Sequence, residues 1–258
     1  MQRIGHAFRL SPRTLWLRTV WHRTWGTFTA LLGVAVVLAS AAALASVPSF
    51  TDDERSFLAA GPCPAGSSSS DCLRSVPATV RGTVIREGTR TSEYTLELAG
   101  PRSVPSEVDM ASPEPLLKHL HRGDAVSVTL WRDYATAVSR DGVTQQTNDT
   151  PVDEPVYVAA LALALLSVGI FGAHAGGVAA LRARRHALRG LPPALVTRGK
   201  QAIGAALCAI PAGMVGALTN ALGTIVLWAV LVGPVCWLIQ RLETQHAGRH
   251  ARYSAAAC

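Results

Sequence analysis

The chain has 258 residues, 49% of them hydrophobic and 16% charged, with a mean hydropathy of +0.25. That is too apolar for an average soluble protein and points to the membrane class. The net charge of +7 is unevenly placed: sixteen of the seventeen acids lie between Asp52 and Glu154, and the exception is Glu243. A nucleic-acid partner is excluded on this pattern, because it needs a basic patch on a folded domain and the one sizeable polar segment here is acidic.

Residues 1–26 carry Arg3, Arg9, Arg13, Arg18 and Arg23 without an acid, together with Trp16, Trp21 and Trp25. Trp21 and Trp25 are four apart with Leu17 on the same helical face, so 13–26 reads as an interfacial helix on the inner leaflet. Thr27–Val47 lacks Asp, Glu, Lys and Arg and is the first expected span, since a bilayer core needs about 20 such residues. A rival reading is a cleaved secretory signal, with Ala43-Leu44-Ala45 preceding Ser46. The long leader and long apolar run favour a retained anchor.

Residues 48–77 read as a loop, because Ser49 to Asp71 is rich in Pro, Gly, Ser and Asp and contains the run Ser67 to Ser70. Cys63 and Cys72 bracket that run, and a disulfide between them is expected on an oxidising side of the membrane. A redox-active or metal-binding pair would need a closer CxxC spacing or nearby histidines.

From Ala78 the apolar period becomes two, and 78–150 is expected to form a small β domain, a barrel or a sandwich. Val80, Gly82 and Val84 alternate with Thr79, Arg81 and Thr83. After a turn at Gly88 to Thr91, Tyr94, Leu96 and Leu98 continue the alternation. Past the Pro-containing stretch 101–115, Leu116 to Leu120 suggests one helical turn, and Val126, Val128 and Leu130 mark another strand. Ala135 to Val138 and Val143 to Thr147 follow, separated by the tight-turn dipeptide Asp141-Gly142.

Three further spans are expected at 156–181, 202–218 and 221–239, all free of Asp, Glu, Lys and Arg. The last two arms are short, so 202–239 also reads as a single buried hairpin turning at Thr219-Asn220. The basic segment 182–200 contains six Lys or Arg residues and no acid, whereas 48–155 contains ten against sixteen acids. Basic residues collect on cytoplasmic loops. Four spans with both termini and the 240–258 tail inside therefore place 48–155 outside and all basic segments in the cytoplasm. The lipid bilayer, with anionic lipids at its cytoplasmic face, is the first expected partner.

Small residues form ridges at Gly172/Gly176, Ala209/Gly213 and Ala212/Gly216, a spacing that lets helices approach closely. Self-association into a homo-oligomer stays open. Pro211 and Pro234 are expected to kink the last two helices. His174 reads as a snorkelling side chain, and Cys208 and Cys236 as small apolar packing.

No catalytic, cofactor-binding or metal-ligand constellation is found. His119 and His121 would share one face of a strand, but no carboxylate or cysteine at ligand spacing accompanies them. Asn148-Asp149-Thr150 is a glycosylation sequon that means little in a bacterial host. Trp131, Arg132 and Tyr134 are the candidate partner-binding residues, since aromatic and guanidinium groups recur at binding hot spots. The competing reading buries Trp131 in the sheet and turns Arg132 to water.

The segments Arg81-Gly82-Thr83-Val84, Tyr94 to Leu98, Gly123 to Val126, Leu130-Trp131-Arg132, Thr136 to Val138, Asp141-Gly142 and Thr147 to Pro151 resemble uncharacterised integral membrane proteins of actinobacteria. The resemblance covers about a third of the chain and implies paired helices around an extracytoplasmic β-rich insert, with no activity to carry over. The scarcity of lysine, only Lys118 and Lys200, fits a GC-rich bacterial origin. The expected function is non-enzymatic, with the β domain sensing, scaffolding or binding an envelope protein or ligand. A membrane transport component is the alternative, and a membrane-bound hydrolase or thiol enzyme stands third.

Overall fold

Alternating burial organises the middle of the chain. In the computed structural model, which describes residues 12–64, 71–88, 92–190 and 192–256, Val76, Ala78 and Val80 point inward on one strand, and Val126, Val128 and Leu130 on its neighbour. Strands β1 (Leu73–Glu87), β2 (Ser92–Ala99), β3 (Glu107–Asp109), β4 (Ala125–Trp131), β5 (Tyr134–Arg140) and β6 (Val143–Gln146) form one antiparallel sheet ordered β3-β2-β1-β4-β5-β6. Met110, just past β3, bridges Thr147, just past β6, and the Asn148 N–H donates to the Asp109 carbonyl at 2.8 Å. The two edge strands are thus joined just past their ends, and the six strands form one sheet rather than a sandwich of two.

β1 holds this sheet together because it pairs with two strands in turn. Leu73 to Thr79 register with β4, and Thr79 to Glu87 with β2, with a bulge between Val80 and Gly82. Leu116, Leu117 and Leu120 close the core from a 3-10 turn at Leu117–His119. That turn is held by a buried glutamine: Gln145 Oε1 accepts from the Leu116 and Leu117 N–H groups at 2.7 and 3.0 Å, and its Nε2 donates to the Ser112 carbonyl at 2.7 Å. A buried amide is stable only with such partners. Between β5 and β6, Asp141 (φ 51°) and Gly142 (φ 83°) form the expected two-residue turn.

Two expectations for residues 48–77 are corrected. Helix α1 runs Pro12–Ala59, so the segment after Pro48 is helical for a further eleven residues before Gly61. Averaging the composition over 49–71 hid the difference between its glycine-free first part and its Gly/Ser-rich second part. The strand also begins at Leu73 rather than Ala78, because Pro77 sits opposite Ser127 without ending the ladder. β3, inside the stretch read as irregular, was too short to show a period. The turn at 89–91 lies outside the described residues.

The described residues divide into two units, one of Ser49–Glu154 and one formed by those up to Pro48 and from Pro155 onward. The second is helical, with α1 as far as Pro48, α2 (Glu154–Leu181) from Pro155, α3 (Ala183–Arg189), α4 (Pro193–Leu207), α5 (Ala209–Gly216) and α6 (Ala221–Ala256); residues 49–59 of α1 belong to the sheet unit. Among the described residues, three helices are long and apolar enough to cross a membrane, lying within Trp16–Ala59, Glu154–Leu181 and Ala221–Gln245. Leu31, Leu161, Ile203 and Val230 are all 60% or more exposed on this unit, a distribution suited to a lipid surround rather than water.

The expected single span at 202–218 is instead divided into α4 and α5 at Cys208. Pro211 supplies the reason, since it has no N–H for the carbonyl of Leu207 four residues earlier and its ring crowds that carbonyl. The expected interfacial helix at 13–26 is continuous with α1, and residues 1–11 lie outside the described residues. The 182–200 loop contains α3 and the start of α4, and the 240–258 tail extends α6 as far as Ala256. α6 continues through Pro234.

Candidate functional site

In the sheet unit, the candidate partner-binding residues lie at the β4–β5 turn. Trp131 and Tyr134 are cross-strand partners flanking Arg132 and Asp133, so the connection is only two residues long. Arg132 has φ 52°, a backbone conformation usually left to glycine. Its side chain explains the residue choice. Arg132 Nη1 donates to Asp53 at 2.7 Å and Nε to Asp71 at 2.9 Å, which raises its pKa further above the ordinary guanidinium value, the bond to Asp71 contributing most.

Trp131 is 2% exposed, packed edge-on against Phe57 at 5.5 Å, with the Arg132 guanidinium 4.2 Å from its ring centroid. Its indole N–H is buried without a hydrogen-bond partner among the described residues. Trp131 and Arg132 are therefore engaged inside the unit, and Tyr134, 55% exposed, is the member of the trio that faces outward. Asp53, Phe57 and Asp71 complete this cluster and escaped the sequence reading. Asp53 and Phe57 are four apart, and once 49–59 is seen as helix they fall on one face.

The cysteine pair adjoins the cluster. Cys63 and Cys72 stand at disulfide distance with Cα atoms 4.9 Å apart. Cys63 N–H donates to the Leu73 carbonyl at 3.0 Å and Leu73 N–H to the Gly61 carbonyl at 2.8 Å, which fixes the chain entering β1 beside Asp71.

The two histidines have different neighbours. His119 ends the 3-10 turn rather than lying on a strand, and its Nε2 is 3.5 Å from Glu114, while His121 Nδ1 is 3.9 Å from Asp124. No group of three potential ligands occurs among the described residues. Asp124 itself accepts the His121 backbone N–H at 2.7 Å and is bonded by Arg140. The backbone bond chiefly, and then Arg140, hold its carboxyl below the usual aspartate range against the opposing effect of burial.

In the helical unit, the small-residue positions lie at helix crossings. A Cβ on Gly176 would collide with the Ala30 backbone nitrogen, and one on Gly33 with that of Ala173; Gly172 would meet the Gly33 Cα at 3.5 Å. α1 and α2 thus approach backbone to backbone. Ala209, Ala212 and Gly216 are buried on α5, where Gly213 faces Ala160 and Gly216 faces Thr224 and Val156.

A groove of about 550 Å³ lies between α2, α4 and α6, lined in part by Phe171, Ala202, Ala205 and Trp228. Trp228 Nε1 donates to the Ala205 carbonyl at 2.9 Å and Gln201 Nε2 to the Cys236 carbonyl at 3.2 Å. Arg198 donates to His174 Nε2 at one end of the groove. His174 was legible as an interfacial histidine, but its partner Arg198 was indistinguishable from the other loop arginines.

A scan against models of protein families, a search of curated proteins and a search of solved structures each found nothing that matches this chain.

Proposed function

We propose that this chain is a non-enzymatic integral membrane protein whose six-stranded unit lies outside the cytoplasm and binds a protein or ligand of the cell envelope. The observation that supports this reading best is the partition of charge between the two units. The sheet unit contains sixteen of the seventeen acids, whereas the helical unit contains Glu243 alone amid a clear excess of arginine. Lys and Arg resist placement outside the cytoplasm near helix ends, so both termini and α3 face inward and the sheet unit outward. On this reading α4 and α5 together form one proline-interrupted span, the third in chain order, which brings the total to four. The loose resemblance to actinobacterial membrane proteins implies the same layout.

The binding surface is the face carrying Tyr134, the exposed aromatic beside the rigid Arg132 turn. Single cysteines introduced at the exposed positions Asp141 and Leu188, in a chain with Cys208, Cys236 and Cys258 replaced by serine, test the orientation in whole cells. An impermeant maleimide should label the first and spare the second; the opposite pattern refutes the topology. A photo-crosslinker at Tyr134 tests the binding. It should capture a partner that the same crosslinker at Val143, an exposed control on β6, does not.

A further inference from the structure

The groove between α2, α4 and α6 combines an apolar wall with a cation that nothing in its own unit balances. Its walls present hydrocarbon because the polar atoms of Trp228 and Gln201 are turned onto backbone carbonyls. Arg198 contacts His174, and a guanidinium can only donate, so the imidazole accepts through Nε2 and contributes no negative charge. The unit's one acid, Glu243, is bonded to Lys200. Arg198 is thus a fork of donors at the mouth of an apolar groove, without a carboxylate to occupy it.

An anionic amphiphile is the complement of that arrangement. We infer that the groove binds one anionic phospholipid, its phosphate held by Arg198 and His174 and an acyl chain lying along Phe171, Ala202 and Trp228. A guanidinium recognises phosphate with paired hydrogen bonds. The volume of about 550 Å³ falls within the range of small-molecule sites. The inference rests on the reading that these helices cross a bilayer with their basic ends at the cytoplasmic leaflet, and it makes the partnership with anionic lipid a defined site rather than a diffuse attraction.

Native mass spectrometry of the full chain, released from detergent and titrated with phosphatidylglycerol or phosphatidylcholine, tests it. One phosphatidylglycerol should be retained, and phosphatidylcholine held about tenfold more weakly. Arg198→Gln should weaken phosphatidylglycerol about tenfold and phosphatidylcholine less, since the choline cation already offsets the charge of its phosphate, while Arg198→Lys keeps part of the preference. Arg184→Gln, an exposed arginine away from the groove, should change neither by more than about twofold. Ala202→Phe, which fills the groove, should weaken both lipids. Equal loss in Arg184→Gln, no loss in Arg198→Gln, or displacement of the lipid by millimolar inorganic phosphate overturns the site. Carbonate extraction of the same proteins separates the two readings. A chain that stays in the membrane without lipid selectivity removes only this site, whereas a chain released by carbonate removes the membrane reading beneath it as well.

Discussion

Arg132 Nη1 donates to Asp53 across 79 residues of sequence, tying the β4–β5 turn to the last turns of α1 at 2.7 Å. The same guanidinium reaches Asp71 beside the cysteine pair, so three separate segments converge on one side chain. All three groups are a third or more exposed, which limits what the pairs contribute to about 1 kcal/mol. Arg132→Ala should therefore destabilise the sheet unit by about that amount. Arg132→Gly loses the same ion pairs but relieves the left-handed backbone by about 1 kcal/mol, and should be close to neutral. Thermal denaturation of the two variants side by side separates the effects; equal losses would show that the turn is unstrained.

Asp124 makes the sheet unit sensitive to acid. Its folded pKa lies below its unfolded value, so the stabilisation is present above about pH 4 and is lost as pH falls through the folded value. Asp124→Asn should flatten this part of the melting-temperature profile between pH 5 and pH 2 while lowering stability at pH 7. An unchanged acid limb would assign the sensitivity to other carboxylates.

The cysteine pair closes a ring of sequence separation 9, for which the loss of unfolded-state entropy is worth about 2–3 kcal/mol. Cys63→Ser with Cys72→Ser should lower the denaturation midpoint of the sheet unit accordingly. Reductant should lower the wild-type midpoint to the same level and leave the double variant unmoved.

Gly176 and Gly177 are adjacent yet differ completely in surroundings. A Cβ at Gly176 meets the Ala30 and Gly26 backbone, whereas one at Gly177 meets nothing within 4 Å. Gly176→Val should destabilise the α1–α2 pair by about 1–3 kcal/mol, and Gly177→Val by much less. Unfolding of each variant in mixed micelles provides the comparison, and similar losses would mean that helix propensity rather than contact governs the site.

Much of the sheet was legible because a half-buried strand writes its burial into every second residue. Val80, Leu96, Leu98, Val126, Val128 and Leu130 all point inward where the alternation placed them. β3 was not legible, since three residues are too few to show a period. The helix over 49–59 was obscured by averaging its composition with the serine run that follows. The candidate site was only partly readable. Trp131, Arg132 and Tyr134 stood out by type, but the carboxylates that occupy Arg132 lie far away in sequence and looked like any other acids of an acidic segment.

By itself, the sequence determined which stretches are apolar, which segment is acidic, and which residues alternate, because composition, charge and period are local properties of a chain. Tertiary structure alone decided that Met110 bridges Thr147, that Trp131 is buried against Phe57, and that Arg198 stands at an apolar groove without a carboxylate. Each of those depends on side chains far apart in sequence meeting at a few ångströms, and no local pattern encodes such a meeting.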